Sequence, residues 1–220
     1  MEQMTTNMIW YACYGSNMDL DRFLKYIQGG QIIINGEIRN YKACPTDKSL
    51  PQNSEPYFID RKLFFAKESK TWNKHGVGFI SNKRDKKSKT FGKLYLISKA
   101  QFSHLFAQEN GRETAKINFD KISKLGILDY EYNFYNRIVQ LDKNYKGFPI
   151  LTFTSKDQPT TNKPHPEYAQ LIANGLKLTH NPTSKEAFDY LSKKATGAKK
   201  NELIKNKRIT PRTINTKLIN

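Results

Sequence analysis

Residues Met8-Ile9-Trp10-Tyr11-Ala12-Cys13-Tyr14 form an unbroken apolar and aromatic run that stops at Gly15-Ser16-Asn17. Met18-Asp19-Leu20-Asp21-Arg22-Phe23-Leu24 then resumes with helical spacing. A short apolar run bounded by turn residues reads as a strand, so the chain opens on a strand–turn–helix corner. Gly15 can adopt conformations closed to residues with a Cβ, and Ser16 or Asn17 is expected to cap the helix from Leu20 to Ile27. Gly29-Gly30 stops that helix. A corner of this kind aims several backbone N–H groups at one spot, which suits a carboxylate or a developing oxyanion. It serves equally as an ordinary capped turn without a ligand.

Short strand-like segments follow rather than long helices. Ile32-Ile33-Ile34 turns at Asn35-Gly36 and resumes over Ile38 to Tyr41. Pro45 to Pro56 is rich in turn formers and reads as a surface loop, and Tyr57 to Ala66 as one strand. In Trp72-Asn73-Lys74-His75-Gly76-Val77-Gly78-Phe79-Ile80 the two glycines either shape a hairpin or let the backbone approach another element closely. Thr90 to Ile97 is a strand expected to pair with that segment. Residues Ile117 to Tyr130 fit neither period cleanly. Phe134 to Leu141 and Phe148 to Thr154 read as a hairpin about Asn144 to Gly147. A helix is expected from Glu167 to Leu176, ended by Gly175, and a short amphipathic one around Ala187, Phe188 and Leu191.

The most informative helix lies between Ser98 and Asn110. Ser98 and Gln101 have the spacing of a capping box. Phe102, Leu105 and Phe106 mark one face, and the next residue on it is Glu109. A carboxylate thus ends an apolar stripe where packing alone would place another leucine. Partial burial and the negative helix end both disfavour its ionisation, and a carboxyl tuned that way can carry protons near neutral pH. The plainer alternative is a frayed helix end with Glu109 in water.

The 220 residues suffice for one buried core, and 13 Phe and 12 Tyr favour a folded globule over disorder. No apolar run reaches the roughly 20 residues that span a bilayer, and the N-terminus lacks the basic and apolar regions of a signal peptide, so the expected location is cytoplasmic. Cys13 and Cys44 have no metal-ligand spacing, and the four histidines form no paired motif; no metal site is expected. With 37 Lys and Arg against 20 Asp and Glu the net charge is +17. From Ser184 onward ten basic residues face three acidic ones. That excess favours acidic partners and leaves open contact of the tail with nucleic acid, although solvated lysine surfaces are common without one.

In order, Tyr14-Gly15-Ser16-Asn17, Ser69-x-x-Trp72 with Gly76-Val77-Gly78-Phe79-Ile80, Phe91-Gly92-Lys93-Leu94-Tyr95, Gln108-Glu109-Asn110-Gly111, and Phe148 to Ser155 followed by Pro166-Glu167-Tyr168 resemble the gamma-glutamylcyclotransferase-like superfamily over residues 9 to 180. The resemblance implies an α+β fold, a small mixed, mostly antiparallel β-barrel with flanking helices, as a domain of residues 1–183 followed by a basic C-terminal helix and tail, 184–220. It implies Glu109 as the catalytic acid/base, with Tyr14, Gly15, Ser16, Asn17, Trp72 and Tyr168 lining a substrate site. The implied reaction closes a gamma-glutamyl amide to 5-oxoproline and releases an amine, with no cofactor. Two departures stand out: Ile150-Leu151-Thr152-Phe153 lacks the late-strand tyrosine of some members, and the resemblance supplies no role for the long basic tail. The rival readings are a non-catalytic small-ligand-binding module on the same fold and a basic adaptor for nucleic acid or an acidic protein. Oligomeric state and the amine are not legible.

Overall fold

The computed structural model describes residues 7–157 and 159–195. Its centre is β1 (Met8–Cys13), every residue of which after Met8 is buried. On one side β1 pairs antiparallel with β7 (Thr90–Ser98), on the other parallel with β10 (Phe148–Thr154). With β4 (Asn53–Ile59), β9 (Arg137–Tyr145) and β8 (Ile127–Asp129) these form a six-stranded sheet in the order β4-β7-β1-β10-β9-β8, antiparallel except at β1/β10. A strand buried on both faces needs apolar residues at every position, which is why β1 reads as a run rather than an alternation.

Two hairpins stand apart from this ladder, β2 (Gly30–Ile34) with β3 (Glu37–Tyr41), and β5 (Leu63–Ser69) with β6 (His75–Ile80). The second is fastened to the main sheet by two fully buried threonines. Thr154 Oγ1 donates to Ile80 O at 2.7 Å and accepts from Ile80 N at 3.2 Å, and Thr90 Oγ1 donates to Arg61 O at 2.7 Å and accepts from Leu63 N at 3.1 Å. The expected pairing of β7 with the Gly76–Ile80 segment is therefore wrong: β6 takes β5 as its partner, while β7 lies between β1 and β4. Likewise Tyr57 to Ala66 is two strands, broken at residues 60–62, and the Pro45–Pro56 loop ends at residue 52. Pro56 is tolerated within β4 because that strand is an edge, where a missing N–H costs no ladder bond.

Helix α1 (Leu20–Gln28) follows a short 3-10 turn, Ser16–Met18. Its cap is Asp19, whose carboxylate accepts from Arg22 N at 3.0 Å, rather than Ser16 or Asn17. The 3-10 turn uses those two positions, freeing their side chains for other contacts. Helix α2 (Lys99–Glu109) has the expected capping box, Gln101 N to Ser98 Oγ at 3.2 Å and Ser98 N to Gln101 Oε1 at 3.1 Å. The ambiguous stretch resolves into α3 (Phe119–Leu125) and β8, joined at Gly126. Helix α4 (Pro166–His180) runs through Gly175 and ends at Asn181, which takes the left-handed conformation at φ 54°. Gly175 is needed for packing, not for termination: a Cβ there would lie 2.6 Å from the backbone carbon of Met18 and 2.7 Å from Asp19 N. Helix α5 (Ser184–Lys194) packs on α4 through Ala187 and Leu191, and Tyr190 Oη accepts from Phe91 N at 3.2 Å. The extreme N-terminus and the basic tail beyond Ala195 lie outside the described residues.

Candidate active site

The corner after β1, the start of α1, the end of α2, the β2–β3 hairpin and the N-terminal turn of α4 surround one cavity of about 1130 Å³. All seven residues singled out from the sequence, Tyr14, Gly15, Ser16, Asn17, Trp72, Glu109 and Tyr168, line it. They come from four separate stretches of the chain. The parallel β1/β10 pairing and the packing of α2 over β1 bring these stretches together.

Glu109, the last residue of α2, is half-buried at the cavity wall. Asn17 Nδ2 donates to its Oε1 at 2.9 Å and to the Tyr11 hydroxyl at 3.3 Å. Enclosure by protein pushes the Glu109 carboxyl above its ordinary range. The positive charge of Arg22 and hydrogen bonds from Asn17 and Tyr26 pull it partly back. Burial is the leading cause of the shift.

The opening loop is tight because its neighbour leaves no room. A side chain at Gly15 would come within 2.9 Å of the Tyr168 hydroxyl oxygen. That oxygen accepts from Gly78 N at 3.0 Å and also receives the Ser16 amide, so Tyr168 ties the loop to β6. Of the two glycines in Gly76-Val77-Gly78, Gly76 admits a close neighbour, because a Cβ there would run into the backbone carbonyl of Asn162, whereas a Cβ at Gly78 would meet the Tyr168 hydroxyl at an ordinary 3.4 Å. Burial raises the Tyr168 phenol to about 12 and keeps it a neutral donor. Tyr14 is buried, and its hydroxyl donates to Phe153 O at 2.6 Å; it supplies a wall, with its polar end turned into the sheet. Trp72 is buried with its ring centroid 5.1 Å from that of Tyr168.

Several lining residues were not singled out. Arg22 is 4% exposed and donates from Nε to Ser16 Oγ at 2.8 Å, from Nη1 to Tyr41 Oη at 3.1 Å and from Nη2 to Tyr26 Oη at 3.3 Å. It shares the apolar face of α1 with Phe23, Tyr26 and Ile27, so the stripe argument that marked Glu109 also marks Arg22. Tyr135 lines the cavity from the segment before β9 and donates to Gly78 O at 3.2 Å. No local pattern pointed to it. Its ring packs edge-on to Phe153 at 5.0 Å, so an aromatic stands beside the late strand although β10 itself carries no tyrosine. At the cavity rim Lys42 is paired with Glu113 and Arg39 with Glu37. Burial pushes the Cys13 thiol up to about 12, away from reactivity. Among the described residues no three His, Cys, Asp or Glu side chains gather to hold a metal ion, and no helix is long and apolar enough to cross a membrane.

No protein-family model matches the chain. Among solved structures it is similar to a gamma-glutamyl cyclotransferase, at 16% identity and a TM-score of 0.50, over 90% of this chain and 96% of that one. It is also similar to an uncharacterised protein from Homo sapiens, at 15% identity and a TM-score of 0.49, over 85% and 86% of the two chains. Among curated proteins it aligns over 204 residues, at 31% identity, with Histone deacetylase 5 of Arabidopsis thaliana. That alignment takes in 84% of this chain and spans 30% of the relative's length, so it touches a minor part of that protein. The mixed, mostly antiparallel sheet with flanking helices described above is thus a fold like that of the gamma-glutamyl cyclotransferase structure.

Proposed function

We propose that this chain is a gamma-glutamylcyclotransferase-like enzyme that releases an amine from a gamma-glutamyl amide by intramolecular cyclisation to 5-oxoproline. The observation that carries the reading is the meeting of a carboxyl with raised proton affinity and the Gly15–Asn17 loop, joined by the 2.9 Å Asn17–Glu109 hydrogen bond inside one cavity. In the proposed step Glu109 takes a proton from the substrate's α-ammonium, and the freed amine attacks the γ-carbonyl of the same molecule. The new N–C bond closes the five-membered ring, and the carbonyl oxygen becomes an oxyanion. As the oxyanion collapses, the amide C–N bond breaks, and Glu109 gives its proton to the departing amine and takes the second proton from the ring nitrogen. That second proton then leaves with the amine as an ammonium ion. Atoms and charge balance with no water consumed and no cofactor required. A bent substrate held at both ends makes attack unimolecular, which removes much of the entropic barrier.

The remaining side chains divide the work of holding that geometry. The loop amides of Gly15 and Asn17 face the α-carboxylate or the oxyanion, the Ser16 amide being taken by Tyr168. With two amides directed at its oxygen, Tyr168 turns its own O–H to the cavity as a further donor. Trp72 and Tyr14 form apolar walls. The test is incubation with a panel of gamma-glutamyl amines and gamma-glutamyl amino acids, with 5-oxoproline quantified by chromatography. Glu109→Gln is expected to lower the rate by about 10²–10⁴ while keeping the fold. Full activity in that variant removes Glu109 from the mechanism. Saturable binding without product over hours makes the chain a ligand-binding module.

A further inference from the structure

Arg22 is a buried cation whose side-chain hydrogen-bond partners are all neutral. Its three side-chain nitrogens donate to the hydroxyls of Ser16, Tyr41 and Tyr26, and its guanidinium carbon lies 5.7, 5.8 and 5.6 Å from the ring centroids of Tyr26, Tyr41 and Trp72. Among the described residues it belongs to none of the ion pairs. Burying a guanidinium without a direct counter-ion is costly, and a helix that only filled space would carry an apolar residue here, as it does at Phe23 and Ile27. Two features say what the charge is for. Ser16, which Arg22 Nε grips, lies between Gly15 and Asn17 in the loop of the cavity. Tyr26, which accepts from Nη2, is free to donate its own proton and is hydrogen-bonded to Glu109.

We propose that Arg22 is a positioning residue for this site: one buried cation that fixes the loop through Ser16 and, through Tyr26 and its own field, orients the Glu109 carboxyl and favours its charged form. The groups that sense Glu109 are Tyr11 and Tyr14 on or beside β1, Arg22 and Tyr26 on α1, Tyr135 ahead of β9, and Tyr168 on α4. Burial holds all five phenols well above neutral pH, which leaves Arg22 as the charged member of the set. The other charges on the cavity, Arg39, Lys42, Lys70 and Arg112 with Glu68 and Glu113, lie on its outer lining. Removing Arg22 leaves the burial of Glu109 in place and takes away the charge that opposes it, so the carboxyl holds its proton to higher pH.

The inference rests on the cyclotransferase reading only for its kinetic arm. Its direct test is the ¹³Cδ titration of Glu109 in glutamate-labelled full-length protein, the resonance assigned by its loss in Glu109→Gln. Arg22→Gln is expected to raise the Glu109 midpoint by about one pH unit or more, the shift associated with one nearby opposite charge. Arg22→Lys keeps the charge and is expected to stay close to the wild type. Tyr26→Phe cuts one link without removing the charge and is expected to raise the midpoint by less, and it decides the matter if Arg22→Gln fails to fold. An unchanged midpoint in Arg22→Gln, or in Tyr26→Phe where that variant must stand in for it, overturns the proposal. In kinetics, Arg22→Gln is expected to move the acid limb of kcat/KM upward, with activity partly recovered at higher pH. Arg22→Lys keeps the limb but lowers kcat, because the ammonium cannot reproduce the fork to Ser16 and the tyrosines. A purely structural defect would lower activity equally at every pH and leave the limb in place. Wild-type protein that yields no 5-oxoproline sinks the cyclotransferase reading, while the titration still decides the role of Arg22.

Discussion

Replacing Gly175 by alanine separates two opposed effects, and their balance can be worked from the structure. Gly175 lies well inside α4, five residues before its end, so helix propensity alone favours alanine by about 1 kcal/mol. Against this, the added methyl would lie 2.6 Å from both the carbonyl carbon and the Cβ of Met18, and 2.7 Å from Asp19 N, where ordinary contact begins at 3.4 Å. Two of those three atoms belong to the backbone of the site corner, which cannot swing aside as a flexible side-chain tip would. Overpacking of this kind costs typically about 1–3 kcal/mol, occasionally more. The expected net result is a loss of about 1–2 kcal/mol, since the backbone contacts put the clash at the upper part of that range. In a chain of this size that corresponds to a fall in Tm of roughly 2–8 °C by calorimetry. The displaced atoms adjoin Asn17, so the side-chain amide resonances of Asn17 should shift as its bond to Glu109 is disturbed. A Gly175→Ala protein with Tm equal to or above the wild type, and unmoved Asn17 resonances, would refute the packing argument and restore the glycine to an ordinary helical position.

Ser98→Ala removes the α2 cap and the 2.6 Å bond from Ser98 Oγ to Asp47, and is expected to cost about 0.5–2 kcal/mol in urea unfolding. Tyr168→Phe strands the amides of Gly78 and Ser16, with an expected loss of about 1–3 kcal/mol and faster hydrogen exchange at Gly78. Glu109→Gln is expected to be more stable than the wild type at pH 7–8. The folded state raises the Glu109 pKa, so this group's contribution is fully present below the unfolded value of about 4.3 and is lost as pH rises through the folded value. The neutral glutamine does not suffer that loss, so the two Tm curves should converge near pH 4; a variant less stable at pH 8 than at pH 4 relative to wild type contradicts the burial of the carboxyl.

What could be read before the structure follows the range of the forces involved. The β1 run, the Asn35-Gly36 hairpin and the Ser98–Gln101 box are set by neighbours within a few residues, and each stands where the local pattern put it. Strand partnership was not local. The β5–β6 hairpin attaches to the sheet through Thr90 and Thr154, two isolated hydroxyls whose role appears only when β7 and β10 are side by side. Gly175 misled because a glycine near a helix end is usually a stop signal, and the element that required its missing Cβ lies more than 150 residues earlier in the sequence.

The site is legible by one rule applied twice. Each of its two charged side chains interrupts an apolar helix stripe, Glu109 at the end of Phe102, Leu105 and Phe106, and Arg22 beside Phe23, Tyr26 and Ile27. Because α1 and α2 both bury those stripes around the opening corner, the two interruptions converge on the same space, with Tyr26 hydrogen-bonded to both. Neither charge is explained by stability alone, since each is taken out of water, and together they form an acid and its countercharge held apart by hydroxyls rather than collapsed into an ion pair. Direct contact would fix the carboxyl in its ionised form and leave it little tendency to carry a proton. Separation lets burial outweigh the attraction, so the carboxyl stays above its ordinary range, the direction a proton-transferring carboxyl needs. On that argument a shortened link, not only a deleted one, should harm the site. Tyr26→Gln, which keeps a polar group but not the reach of the phenol, should shift the Glu109 titration just as Tyr26→Phe does.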